Sequence, residues 1–262
     1  HHFKMRYYNN DVDYSDSTNG NAYLINLDYQ FHREFNHDVI LTAGMQGYYF
    51  DVDDHDLGIH SGVSAGLYLQ ADKKLFEKLN LSAGLRYEFN QISGLNESRP
   101  VFRVGANYQM AKYTFLRASW GQGYRFPTIA EKYISTTVTG LSIFPNPDLT
   151  SETGWSAELG IKQGVKFSNW QGMLDVSGFI SEYNNMMEFT FGAGSDLEPV
   201  LGIVWPEVKD LYNQGIRPTQ IAKGLGFQSV NIGNTNIVGI DLSFVGQGKI
   251  GTIPINILTG YT

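Results

Sequence analysis

The sequence contains no cysteine, so neither a disulfide framework nor a thiolate metal site holds the chain together. It also has no run that approaches the roughly 18 unbroken apolar residues of a membrane-spanning helix. Its mean hydropathy is -0.23. These absences argue against a helical membrane protein, and any crossing of a membrane must use the strands of a barrel.

Charged residues are also scarce, at 17% of the 262 residues, against roughly 25% in an ordinary soluble domain. The net charge is -7 and the pI is about 5.3. Because nucleic acids are bound by basic surfaces, this balance excludes a nucleic-acid partner. Aromatic residues, in contrast, reach 14% and glycine numbers 29, a composition typical of strands joined by turns.

Alternation of apolar and polar residues runs through most of the chain and predicts strands with two different faces. In the segment from Thr153 to Gly164, for example, the apolar face carries Trp155, Ala157, Leu159 and Ile161. About eleven such strands are predicted, many longer than the roughly five to six residues usual in soluble sheets. The polar faces are predicted to line a lumen with Asn26, Asp28, Gln30, Arg86, Glu88, Arg103, Asn107, Gln109, Glu158, Lys162 and Asp175.

Two kinds of connection alternate between these strands. Short ones are predicted at residues 31–36, 71–74, 111–112, 168–169 and 246–252. Longer, more polar ones are predicted at residues 11–21, 51–59, 91–97, 126–152 and 191–226. This alternation is typical of an up-and-down barrel with short turns on one side of a bilayer and long loops on the other. A soluble sandwich is the alternative, with shorter strands and less regular loops.

Sequence motifs for catalysis are missing: there is no G-x-S-x-G elbow, H-E-x-x-H pair or P-loop. The chain is therefore predicted not to be an enzyme and to need no cofactor. A run of acidic residues offers oxygen donors that calcium prefers, from Asp51, Asp53, Asp54 and Asp56. It lacks the glycine and bidentate glutamate of an EF-hand, so a solvated turn is the favoured interpretation.

Three motifs resemble those of TonB-dependent outer-membrane receptors. The first is GYRFPTIAE, from Gly123 to Glu131, and the second is PNPDLTSETGW, from Pro145 to Trp155. The third is NIGNTNIVGID, from Asn231 to Asp241. Pro145 stands where the family more often has glycine. The turn predicted at residues 71–74 and the run at residues 185–189 resemble the Bacteroidetes members of that family.

The resemblance implies an all-β fold: an antiparallel transmembrane β-barrel, an up-and-down meander that is a fragment of a larger barrel of about 22 strands. Residues 1–262 would then be a partial barrel domain in which the plug domain, the TonB box and the C-terminal end of the barrel are not recognisable. The implied location is the bacterial outer membrane, which the chain would cross several times in contact with its lipid.

The implied function is active import of a scarce ligand such as a siderophore, cobalamin, a glycan or a peptide. The energy would come from the TonB complex through the plug region. The alternatives are a passive porin, an outer-membrane barrel enzyme and a soluble β-rich binding module. A plug domain elsewhere in the full protein separates the first interpretation from the others.

Five residues are candidate ligand contacts: Tyr124, Arg125, Glu131, Trp205 and Tyr212. The first three lie where a strand ends and a long connection begins, although pairing within the barrel is the favoured role for Arg125 and Glu131. The other two lie in the connection at residues 191–226, where residues 207–214 are predicted to form a short helix. Long loops that carry aromatic residues are suited to gripping a ligand.

Overall fold

The computed structural model describes residues 1–12, 20–36, 38–138, 141–193 and 225–262. The chain forms one short helix, α1 (Ile129–Tyr133), and fifteen strands in these ranges. The strands are β1 (His2–Val12), β2 (Gly20–Phe35), β3 (Val39–Asp54), β4 (Gly58–Leu75), β5 (Leu79–Ile92), β6 (Leu95–Ala111), β7 (Thr114–Arg125), β8 (Thr136–Val138), β9 (Leu141–Phe144), β10 (Glu152–Phe167), β11 (Trp170–Asn184), β12 (Met187–Ala193), β13 (Leu225–Asn231), β14 (Thr235–Ile250) and β15 (Ile253–Tyr261). Within them, no helix is long and apolar enough to cross a membrane.

Eleven strands form one antiparallel sheet in the order β1-β2-β3-β4-β5-β6-β7-β10-β11-β14-β15. The predicted meander of about eleven strands is therefore confirmed. Most of these strands have 14 to 18 residues, whereas a bilayer is crossed by roughly 9 to 11. Strands of this length would reach beyond a bilayer. We call the end of the sheet at which β7 and β11 end and β10 and β14 begin the loop end.

Several connections are tighter than the sequence predicts. Strands β3 and β4 are joined by residues 55–57 alone, and β5 and β6 by Ser93 and Gly94, both with positive φ (47° and 91°). That pair has the left-handed backbone of a two-residue hairpin turn. The longer connections predicted at residues 51–59 and 91–97 were wrong because strand ends that project beyond a membrane are polar on both faces and resemble loops. The turn predicted at residues 71–74 lies inside β4, and the true turn is at residues 76–78.

The two faces of the sheet differ in chemistry as the alternation predicts. Large apolar side chains stand exposed on the outer face, among them Leu67 (61% exposed), Leu159 (59%) and Val238 (73%). The inner face carries the polar and charged residues, including Arg117, Glu158 and Asp175, which pair with one another. An exposed apolar face on one side and a polar face on the other is the arrangement of a barrel wall between lipid and lumen.

A second, four-stranded sheet was not predicted. Its order is β12-β13-β9-β8, and it joins the two long connections through parallel pairing of β13 with β9. The most deeply buried apolar side chains also lie at this end of the molecule: Ile92, Val101, Ile129, Phe144, Leu149 and Met187. The small core of the described chain therefore sits where the long connections meet the barrel wall, and we call these connections together the loop assembly.

Candidate functional site

The inner wall carries a network of ion pairs across β7, β10 and β11. Arg117 Nε lies 2.7 Å from Glu158 Oε1, and Arg117 Nη1 lies 2.6 Å from Asp175 Oδ2. Lys162 Nζ lies 3.4 Å from the same Asp175 carboxylate. These side chains share a face because the register places Asp175 opposite Lys162 and Gly160 opposite Arg117. The wall therefore presents a polar, ion-paired surface to the lumen.

Arg125 fixes the foot of the loop assembly at the end of β7. Its Nη1 lies 2.7 Å from Glu131 Oε1 in α1, and its Nη2 lies 3.1 Å from Glu152 Oε2 at the start of β10. Glu152 Oε2 also accepts a hydrogen bond of 3.1 Å from the Met187 backbone N–H. One guanidinium and one carboxylate therefore connect both ends of the first long connection to the start of β12.

Helix α1 begins with a capping box. Thr128 Oγ1 accepts from the Glu131 backbone N–H at 3.2 Å, and Glu131 Oε2 accepts from the Thr128 backbone N–H at 2.8 Å. Burial opposes ionisation of Glu131, but the hydrogen bonds from Thr128 and Arg125 outweigh it, so the pKa of Glu131 lies below its ordinary value of 4.5. The carboxylate form is thus the one that the fold stabilises.

This lowered pKa predicts that acid loosens α1. The stabilisation from a carboxylate with a lowered pKa is present above 4.5 and is lost as the pH falls through the folded value. We expect the protection factors of the α1 amides, taken relative to the intrinsic exchange rate at each pH, to fall over that range in the wild type. Glu131→Gln keeps the capping geometry but removes the charge, so its protection factors should not change with pH. A wild-type protection that does not change with pH would contradict the assignment.

Lys132 is fully buried, at 0% exposure, although it follows Glu131 in a helix of five residues. Its Nζ donates to the Leu149 carbonyl oxygen at 2.6 Å, and its own carbonyl accepts from the Asn146 N–H at 2.7 Å. Burial lowers the pKa of Lys132, and the nearby Asp148 and Glu97 carboxylates partly offset that effect. Lys132 thus ties α1 to the second motif of the same connection.

Two asparagines join the long connections to each other. Asn146 Nδ2 donates to the Ser229 carbonyl at 2.8 Å. Asn231 Oδ1 accepts from the Thr150 N–H at 2.9 Å, while Asn231 Nδ2 donates to the Thr150 and Asn185 carbonyls at 3.0 and 2.8 Å. Both asparagines belong to motifs that the sequence singles out, but their role as a joint was missed. The sequence signal that could have indicated this joint is the amide side chain that each motif contains.

The loop assembly also contacts the tips of two hairpins. The His60 ring stacks on the Tyr133 ring, with centroids 3.8 Å apart, and His60 Nδ1 lies 2.7 Å from Ser93 Oγ. The Ser135 N–H donates to the Asp56 carbonyl at 2.8 Å. These contacts reach back from β7 to β4 and were not predicted, because residues 56 and 135 carry no sequence signal that they meet. The first long connection is therefore fastened at both its foot and its far side.

The fold and these joints can be compared with known proteins. The family model of the TonB dependent receptor-like β-barrel matches residues 2–262. The chain belongs to this family. Its members are transporters and receptors of the bacterial outer membrane, so the apolar outer face of this receptor wall is the surface that contacts lipid.

Curated relatives of the receptor include Hemoglobin-haptoglobin utilization protein B of Neisseria meningitidis, 24% identical over 141 residues. Hemoglobin and hemoglobin-haptoglobin-binding protein A of Haemophilus influenzae is 27% identical over 164 residues. The matches cover 46% and 59% of this chain but 17% and 14% of those proteins. The chain therefore spans a small part of their length. The Bacteroidetes likeness of its turns stays a prediction.

Solved structures agree on the fold. The siderophore receptor PirA from Pseudomonas aeruginosa matches with a TM-score of 0.67 at 14% identity, over 99% of this chain and 46% of that one. The hemophore receptor HasR of Serratia marcescens matches with a TM-score of 0.64 at 14% identity, over 87% of this chain and 40% of that one. The sheet accordingly has the fold of part of a TonB-dependent receptor barrel.

The predicted ligand contacts of the receptor can now be placed. Tyr124, Arg125 and Glu131 lie together at the foot of the loop assembly, where the Ser151 hydroxyl lies 3.4 Å from the Tyr124 hydroxyl. Arg125 and Glu131 pair with each other, which is the role that the sequence favours. Trp205 and Tyr212 lie outside the described residues, as does the short helix predicted at residues 207–214. Ligand contact by these five residues stays a prediction.

The calcium candidate does not have converging donors in this receptor. Strand alternation places Asp51 and Asp53 on one face of β3 and Asp54 on the other. Asp54 Oδ1 instead accepts the backbone N–H groups of Asp56 and Leu57 at 2.9 and 3.2 Å and so shapes the hairpin turn. Across the described part of the chain, no group of three or more His, Cys, Asp or Glu side chains is placed to hold a metal ion.

Proposed function

We propose that the chain is part of the wall of an active outer-membrane importer. The observation that carries this proposal is a polar, ion-paired inner wall combined with membership of the TonB-dependent receptor family. A polar lumen gives a hydrophilic ligand a route through the lipid. The loop assembly supports the same function, since long connections held in place at one end of a barrel are suited to gripping a ligand.

We propose further that residues 1–262 are a partial barrel domain, and that the plug domain and the rest of the barrel are supplied by a longer protein. The match to 46% of the PirA chain supports this assignment. The partner would be the TonB complex, acting through that plug.

The ligand class to test first is an iron-bearing one, either haem or a siderophore. The support is that relatives are named for hemoglobin and haptoglobin and that fold neighbours are named for a hemophore and a siderophore. Tyr124, Trp205 and Tyr212 are the proposed ligand contacts. Arg125 and Glu131 neutralise each other, so we propose that they act by placing the loop assembly.

An enzyme is the second candidate, because a serine and a histidine do lie together. His60 Nδ1 is 2.7 Å from Ser93 Oγ at the hairpin tips. We interpret this pair as a fastening, since the His60 ring is stacked on Tyr133 and, among the described residues, its hydrogen bond is to Ser93 rather than to a carboxylate. A catalytic histidine needs such an orienting partner. We therefore propose that the receptor is not an enzyme.

The experiment is an uptake assay with the full-length receptor in the outer membrane of a host that lacks its own haem and siderophore receptors. We expect radiolabelled haem or ferric siderophore to accumulate only when both the receptor and TonB are present. Accumulation without TonB would favour a passive porin. If the folded receptor accumulates neither ligand, the iron-bearing class is wrong, and cobalamin, glycans and peptides are tested with the same host pair.

A further inference from the structure

The outer wall carries a groove on strands β2 to β5. Leu27, Gly47, Ala65 and Phe89 are opposite one another in register and form its floor and ends. The neighbouring row, Tyr29, Met45, Leu67 and Tyr87, forms one side, and Phe3 of β1 extends it. The groove is open on its outer side and has a volume of about 600 Å³.

The depression exists because two minimal residues lie side by side among larger ones. Gly47 has no side chain and Ala65 has one methyl group, whereas Met45 and Leu67 stand 54% and 61% exposed beside them. Leu27 and Phe89 close the row on either side, at 44% and 37% exposure. A flat strand face would carry side chains of similar height, so this pair leaves space that the barrel does not fill.

The lining offers no free polar group to an occupant. The Tyr87 hydroxyl donates to Ser98 Oγ at 2.9 Å, and the Tyr29 hydroxyl lies 2.7 Å from His1 Nδ1. The side chains of Asp28 and Gln46 belong to the opposite, inner face, where Gln46 accepts from Arg86. A ligand of this groove is therefore recognised by apolar contact alone.

We propose that this groove binds the acyl chain of an outer-membrane lipid. It is continuous with the lipid-facing wall of the barrel, so hydrocarbon chains already surround it. A void there leaves its lining without contacts on one side, and an inserted chain restores dispersion contacts with the floor and the sides at once. From Leu27 on β2 to Phe89 on β5 the groove crosses four strands, spaced about 4.8 Å apart, so it holds a segment of an extended chain roughly 14 Å long.

Gly47 gives a direct test, because a Cβ built there meets nothing closer than the Ser64 carbonyl oxygen at 3.9 Å. Gly47→Leu should therefore fill the groove without straining the sheet. Gly178 is the matched control, since it lies on the outer face opposite Leu159, and its Cβ would likewise meet only the Gly239 carbonyl oxygen at 3.9 Å. Gly178→Leu adds the same bulk away from the groove.

The full-length receptor is purified from outer membranes in detergent, and the lipid that stays bound is quantified by mass spectrometry. Each variant is first shown to be folded by its heat-dependent gel mobility. We expect the wild type and Gly178→Leu to retain lipid and Gly47→Leu to lose it. Equal retention in all three, or equal loss in both variants, would overturn the proposal.

A second measurement uses the wild type and so does not depend on a variant folding. The receptor is reconstituted with a phospholipid that carries a diazirine in its acyl chain, and the photo-crosslinked peptides are mapped. We expect crosslinks to concentrate on β2 to β5. An even distribution around the outer wall would show ordinary surrounding lipid and would contradict a specific groove. The inference does not depend on which ligand the receptor imports.

Discussion

Leu159→Arg should destabilise the receptor by roughly 2 to 4 kcal/mol, the cost of a cation on the lipid face near the middle of a bilayer. Leu159 lies halfway along β10, and its side chain is 59% exposed on the outer face. An arginine there would be surrounded by lipid hydrocarbon wherever the sheet itself does not cover it. The measurement is the guanidinium midpoint of barrel unfolding in lipid vesicles, followed by the heat-modifiable gel mobility.

The control must lie on the inner face, and the structure changes which residue is suitable. The adjacent Glu158 was expected from the sequence to tolerate arginine, but Arg117 Nε lies 2.7 Å from its carboxylate. Arginine at position 158 would face Arg117, so the measured loss of stability would combine the cost of solvation with charge repulsion. Ser243 is better, because it is opposite Asp175 in register on the polar face. Ser243→Arg should cost little, and equal costs for both variants would count against a lipid-facing wall.

The wall was predictable from the sequence because its signal is local. A period of two residues assigns each side chain to a face, and the lumen residues Arg117 and Asp175 meet only because that period holds across three strands. Leu24 is an apolar residue on the otherwise polar face of β2. Its register explains this exception, because Leu24 lies opposite Tyr8 and Phe50 in an apolar row that ends at the buried Ile92.

The loop assembly was not predictable because its contacts join distant residues. Strands β9 and β13 pair in parallel through Ser142 with Gly226 and Phe144 with Gln228, and no local pattern links these segments. The motifs at residues 145–155 and 231–241 coincide with the joint between the two long connections, but they do not indicate which side chains form it. Sequence reasoning therefore favoured pairing within the barrel for Arg125 and Glu131, which the structure shows paired with each other, but it missed Asn146 and Asn231, whose partners are mainly backbone groups.

The burial of Lys132 was likewise not predictable from the sequence. Replacing this residue should have the largest effect on the loop assembly. A lysine in a long polar connection is expected at the surface, yet this one is fully buried against Leu149, itself 1% exposed. Lys132→Met nearly preserves the volume but leaves the Leu149 carbonyl without its donor. A buried acceptor left unpaired costs about 1 to 3 kcal/mol.

That cost should appear locally, because the strands of the wall do not depend on Lys132. We expect hydrogen exchange and proteolytic cleavage within residues 126–151 to increase in Lys132→Met, while the guanidinium midpoint of the barrel stays unchanged. Lys74→Met is the control, since Lys74 is exposed near the end of β4. Unchanged protection of residues 126–151 would mean that Arg125, Asn146 and Asn231 hold the connection without Lys132. A fall in the midpoint would mean instead that the loop assembly is part of the barrel's cooperative unit.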